Sequence, residues 1–312
     1  MKKLLFTLFI LTPILIITAC SPKTNYEIVV TDYFTYDIVK QVVGDTKQIK
    51  MLQPAHMDYH SYEPSSSDLV ILKKTELFIY TSINQAPWLG SEDNIAALLS
   101  DGAHISFEAL LDIEPHHHDL EDDHEDEDEH ENDHDDHDHG FDFISNPFYV
   151  VTIVDNLAHY LADKFPNDAE IFIQNGHDYK DMILNLVTPY HEQRSEAAPM
   201  IIYFVGHNAL AGLQEAFNLD IHALDENVSP NSDTTSTEVS AFIKALQDNN
   251  ITTLFVEELA DPATIEFIRS RVNNLEIVEL HTFHKITTTD YNNHVGYLDI
   301  VSRNILNLQG GN

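Results

Sequence analysis

The chain has 312 residues, 43% of them hydrophobic, enough apolar material for one large or two ordinary globular domains. Sixteen Lys and Arg stand against 52 Asp and Glu, a net charge of −36. That balance excludes nucleic acid as a partner, because its phosphates need basic side chains to neutralise them, and it suits a protein that attracts cations. With a single cysteine, neither a disulfide framework nor a thiolate metal site is available.

Lys2 and Lys3 precede an apolar stretch over residues 4–17, broken by Thr7, Thr12 and Pro13. This reads as an export signal over residues 1–19, too short and wrongly flanked for a membrane span. Cys20 follows the small residues Thr18 and Ala19, a pattern that resembles a bacterial lipobox. Acyl chains on Cys20 would anchor the mature protein, through a polar tether at 20–25, to the outer face of the bacterial cell membrane, or leave it periplasmic.

Residues 26–31 (YEIVVT) read as a strand, 35–43 as a helix ending at Gly44, and 48–53 as a second strand. A loop over 54–67 leads to a helix over 67–75, and 77–81 (LFIYT) is a buried strand. Residues 87–99 read as a helix and 105–107 as a short strand. From Asn146 the period is helical for about fifty residues. Pro147 suits a first turn, Pro166 breaks the run, and a helix over 168–195 would span about 40 Å. Strand and helix then alternate again, with strands at 200–205, 252–256 and 275–280. Helices are expected over 208–217, 235–248 (capped by Thr235 and Glu238), from Asp261-Pro262, and over 296–308. The expected fold is α/β: an N-terminal lobe over 26–146, a helical linker over 147–195 and a C-terminal lobe over 196–312, with a ligand cleft between the lobes.

One run stands apart from this pattern. Residues 115–140 contain His116, His117, His118, His124, His130, His134, His137 and His139, and fourteen Asp or Glu fall between 119 and 138. A segment so charged cannot bury enough surface to offset its ordering entropy, so a mobile loop is expected. Interleaved imidazole and carboxylate favour contact with divalent metal over a plain solvated linker. The run is too irregular to be one defined site. The remainder of the chain still carries roughly −22.

Three histidines occupy positions where α/β sheets bind ligands, beyond the carboxyl ends of strands. His60 lies in the loop after the second strand, His207 follows the strand at 200–205, and His281 follows the strand at 275–280. Each alone is more often a hydrogen-bonded loop residue; their common placement in two lobes suits a zinc site built from ligands distant in sequence. The surrounding motifs are His60-Ser61-Tyr62-Glu63-Pro64 with Ser67-Asp68-Leu69, Leu77-Phe78-Ile79-Tyr80 with Pro87-Trp88-Leu89, Gly206-His207-Asn208-Ala209, Val256-Glu257-Glu258-Leu259, Leu280 to Thr287, and Gly296-Tyr297-Leu298-Asp299. Together they resemble the substrate-binding lipoproteins of zinc and manganese ABC transporters, over residues 26–308.

That resemblance implies two lobes rigidly linked by a long backbone helix, with the metal in the cleft, Zn2+ as transported cargo, and an ABC permease in the membrane as partner. Zinc members of the family also carry an acidic His-rich loop. A monomer is expected, with no catalytic residues. The family's second ligand, a histidine, has no counterpart here. Asp142 occupies the slot counted back from Pro147, and His139 is the alternative. Manganese-type members place carboxylates where His207 and His281 stand, and nitrogen donors favour zinc over manganese. Glu257 and Glu258 read as solvated charges at a strand end, with a role behind the ligands as the rival reading. His56, His284 and His294 read as surface or hydrogen-bonded residues, and Trp88 as packing. The rival functions are a receptor for manganese or another divalent metal, an adhesin-type surface metal buffer, and a zinc hydrolase with Glu63 as its base. The last lacks an H-E-x-x-H motif.

Overall fold

The computed structural model describes residues 26–57, 61–100, 102–111, 143–207, 209–225 and 235–311, with only the backbone of His207 and Asp225. The expected export signal, Cys20 and its tether, His60, the His-rich run and Asp142 lie outside the described residues. No helix among the described residues is long and apolar enough to cross a membrane.

Each half of the chain builds a four-stranded parallel sheet. The first contains β1 (Ile28–Val30), β2 (Ile49–Met51), β3 (Leu77–Tyr80) and β4 (Ala103–Ser106) in the order β2-β1-β3-β4. The second contains β5 (Met200–His207), β6 (Leu219–Asp225), β7 (Thr253–Val256) and β8 (Glu276–Glu279) in the order β6-β5-β7-β8. The two orders are the same, a repeat of topology that the sequence does not display. β1 and β3 are buried at every residue, as parallel strands covered on both faces must be.

Helices α1 (Tyr33–Val43), α2 (Ser66–Leu72), α3 (Glu92–Leu98) and α4 (Phe107–Leu111) belong to the first lobe. α5 (Pro147–Lys164) and α6 (Ala169–Ser195) follow, and then α7 (Ala211–Phe217), α8 (Ser236–Asp248), α9 (Pro262–Arg269), α10 (Thr288–Asn292) and α11 (Tyr297–Gly310). Four expectations need correction. Residues 87–99 are not one helix. Gly90, at φ 71°, separates a 3-10 turn at Pro87–Leu89 from α3, which Ser91 caps. The helix expected from Asn208 begins at Ala211. β6 was not expected, although its Asp220 and His222 alternate with apolar residues as a half-exposed edge strand does. The short helices α4 and α10 were likewise not foreseen.

One apolar cluster runs through both lobes. It joins Ile28, Phe34 and Ile38 of the first to Ile202, Phe217, Tyr297 and Ile300 of the second through Val154, Leu157, Phe172 and Ile183 of α5 and α6. Gly176, an unexpected residue within a long helix, has its reason here. A Cβ at that position would lie 2.5 Å from Ala158 Cβ, so glycine lets α6 approach α5. Gly176→Ala should therefore destabilise by about 1–2 kcal/mol, the overpacking outweighing the better helix propensity of alanine. Urea unfolding of the two proteins measures the difference, and a stabilised variant would refute the close-approach reading.

Candidate metal centre

The segment that carries His60 is held on both sides. After it, the Tyr62 ring is buried against Trp88, with ring centroids 5.9 Å apart, and its hydroxyl donates to Asp68 Oδ2 at 3.1 Å. Ser65 then caps α2 in a reciprocal box with Asp68. Tyr62, Ser65 and Asp68 thus fix the chain that follows residue 60. Before it, Ala55 O accepts Ile286 N–H at 3.1 Å, joining this loop to the one that follows β8 in the other lobe. Trp88 packs on the apolar cluster over the outer face of the first sheet.

Residue 142 directly precedes a 3-10 turn at Phe143–Ser145, in which all three residues are buried. Tyr297 Oη donates to Ile144 O at 3.0 Å, and Leu213 N–H donates to Ser145 Oγ at 3.2 Å. Both anchors come from the second half of the chain. The segment beside Asp142 therefore sits at the junction of the lobes.

In the second sheet the ligand candidates lie at the ends of two strands, β5 and β8, on either side of β7. His207 closes β5, where the register with β6 shifts between Phe204 and His207. Gly206 makes this possible, because a Cβ there would meet the Phe204 ring at 2.7 Å and Glu257 Cβ at 2.9 Å. β7 lies between β5 and β8, so the backbones of His207 and His281 are two strand spacings apart, about 10 Å.

His281 is fully buried, and its backbone is clasped by Asn304 of α11. His281 N–H donates to Asn304 Oδ1, and Asn304 Nδ2 donates to His281 O, both at 2.9 Å. Its ring lies edge-on to Phe34 of the first lobe at 5.7 Å. Nδ1 accepts Phe283 N–H at 2.9 Å, which places the proton of the neutral ring on Nε2. Nε2 is buried without a hydrogen-bond partner among the described residues. Burial pushes the imidazole down to about 3, so the ring is neutral, as a metal ligand must be. For Nε2 to offer its lone pair, the proton must move to Nδ1 and the Phe283 bond must open. Glu258 Oε2, 3.6 Å from Nδ1, is the carboxylate placed to receive it.

Glu258 corrects the expectation of a solvated strand-end charge. Its side chain is fully buried and accepts Thr282 N–H and Thr282 Oγ1, each at 2.8 Å. Burial pushes its carboxyl up to about 7 against those hydrogen bonds. The sequence hides this because the two donors lie 24 residues away. Phe283 sits at φ 67°, a rare conformation for an aromatic residue, and marks a tightly determined loop. His284, on the same loop, is buried at 4% exposure rather than on the surface.

The other histidines have local roles. His159 Nδ1 pairs with Asp155 O at 2.9 Å and His191 Nδ1 with Ala216 O at 2.7 Å. His104 faces Glu92 at 3.3 Å, His177 faces Asp181 at 3.5 Å, and His222 stacks on Tyr203. His56, His294 and Glu63 are exposed. Among the described residues no three metal-ligating side chains cluster; His60, Asp142 and the side chain of His207 are not among them.

Two parallel-sheet lobes on a shared helical core, with His207 and His281 at strand ends of the second, define a two-lobed α/β protein. Residues 28–311 match the family described as “ZnuA: Zinc-uptake complex component A periplasmic”, and the chain belongs to it. That family comprises binding components of uptake systems, not enzymes, which removes the hydrolase reading. The chain is 24% identical to the zinc-binding lipoprotein AdcA of Streptococcus pneumoniae over 93% of its own length, but spans only 57% of that relative. It is 23% identical to the high-affinity zinc uptake system protein ZnuA of Bacillus subtilis, over 92% of this chain and 88% of that one. The fold matches the crystal structure of the Zn(II)-bound ZnuA-like domain of Streptococcus pneumoniae AdcA with a TM-score of 0.73 at 21% identity, covering 92% of this chain and 98% of that domain.

Proposed function

We propose that this protein captures Zn2+ outside the cytoplasm and passes it to an ABC permease, acting as a monomer tethered through lipid on Cys20. The amino-terminal lobe over 26–146 and the carboxy-terminal lobe over 196–312, joined by the helices of 147–195, enclose the cargo site. His60, Asp142, His207 and His281 hold the ion, three neutral imidazoles and one carboxylate being a legitimate zinc set. The observation that carries the reading is the buried Nε2 of His281, which has no hydrogen-bond partner among the described residues and lies past a strand end, beside Phe34 of the other lobe. Protons compete for the imidazole nitrogens of His60 and His207, so affinity should fall as pH drops below about 6.5, the ordinary histidine value, whereas buried His281 stays neutral through that range.

His116, His117, His118, His124, His130, His134, His137 and His139 form an accessory collector, weaker and multi-ion, beside the cleft. Zinc titration against a competing chelator tests the division of labour. Deleting residues 116–139 should lower the total number of ions bound and leave one tight ion. Loss of that tight ion instead would move the second ligand from Asp142 into the loop, to His139.

A further inference from the structure

Helix α11 touches both halves of the candidate site. Asn304 clasps the backbone of His281, Asn307 Nδ2 donates to Glu279 O at 2.8 Å, and Tyr297 Oη holds Ile144 O. Where α11 sits therefore decides where His281 and the 143–145 turn sit. The contact that seats it comes from the other lobe. Asp37 of α1 reaches across, and its Oδ2 accepts Tyr297 N–H at 2.8 Å, in the first turn of α11. Asp299 of α11 itself satisfies the adjacent Gly296 N–H at 3.0 Å. Gly296 has no side chain because none fits: a Cβ would lie 2.8 and 2.9 Å from the two Asp37 carboxylate oxygens. Gln41 also hydrogen-bonds the Asp37 carboxylate, and Tyr33, one turn earlier on α1, donates from its hydroxyl to Val295 O at 2.9 Å.

We propose that Asp37 is a positioning residue for the metal cleft, a carboxylate from the first lobe keyed into the N-terminus of α11 so that the two lobes present their ligands in one fixed geometry. The proposal rests on the metal-cleft reading above. A negative group at a helix N-terminus satisfies an otherwise orphaned N–H and complements the helix dipole. Burial raises the Asp37 carboxyl above its usual range, and the hydrogen bonds from Tyr297 N–H and Gln41 work against that shift by favouring the charged form. The ion itself is held by other residues. What Asp37 controls is how long the ligands stay converged, so its loss should act on metal release more than on metal capture.

The full chain tests this with two readouts. The first is the slow phase of zinc release into excess chelator. Asp37→Ala should accelerate it roughly tenfold or more, the effect of losing a charged hydrogen bond. Asp37→Asn, which keeps an acceptor oxygen, should restore most of the lost retention. Gly296→Ala, which forces the carboxylate away, should mimic Asp37→Ala and serves in its place if that variant does not fold. The second readout is amide hydrogen exchange without metal. Asp37→Ala should raise exchange at Tyr297 and over 281–283 while sparing β5 and β7. Unchanged slow release together with unchanged exchange at those amides would overturn the proposal, as would a uniform rise over the whole second lobe. If the wild type shows no slow phase, the metal-cleft reading fails, and the exchange data still decide whether Asp37 seats α11.

Discussion

Replacing His60 and His207 together by alanine is expected to abolish tight zinc binding while leaving the chain folded. With the proposed ligand set one donor is lost from each lobe, and Asp142 with His281 cannot complete a four-coordinate zinc shell. Loss of a mere outer-shell partner costs about 10–100-fold in affinity, so loss of two ligands should cost more than roughly 1,000-fold. The histidines of residues 116–139 would still collect ions weakly, so the measurement is competition with a chelator strong enough to strip the loop. Circular dichroism and urea unfolding of the metal-free variant should match the wild type. The strand leading to Gly206 is held by register with β6 and β7. An unchanged tight stoichiometry in the double variant would sink the cleft site.

The buried strands are the part of this fold that composition reveals directly. Continuous apolar runs such as Ile28–Val30 and Leu77–Tyr80 can only be parallel strands or buried helix segments, and the helices between them decide in favour of strands. β6 escapes the same reasoning, since its alternating Asp220 and His222 face outward at a sheet edge. Around His281 the sequence misleads in its details. A charged pair after a strand looks solvated, yet Glu258 is fully enclosed because the Thr282 amide and hydroxyl replace its water. No local pattern announces that Asp37 caps a helix 260 residues away, or that Asn304 clasps His281. Those contacts depend on how two separately legible lobes meet.

Phe34→Ala is the substitution expected to destabilise the protein most. Phe34 sits near the start of α1 in the first lobe and is only 2% exposed. Its ring meets His281 at 5.7 Å, Phe283 at 5.4 Å and Tyr297 at 6.5 Å, each near edge-on and each from the second lobe. Truncation removes the transfer energy of the ring, the edge-to-face contacts and the filler of an interlobe space whose walls are fixed by helix and sheet. Buried Phe→Ala changes cost about 3–5 kcal/mol, a large share of the roughly 5–15 kcal/mol that keeps a domain folded. Phe34→Leu should cost clearly less, because most of the volume is kept. Since one apolar cluster crosses both lobes, wild-type unfolding in urea should be a single transition. Phe34→Ala should lower its midpoint without splitting it, since α5 and α6 still carry the shared core. A split transition would mean that Phe34, rather than those helices, makes the lobes cooperative. Equal costs for the alanine and leucine variants would show that aromatic edge contacts, and not filled volume, are what this seam depends on.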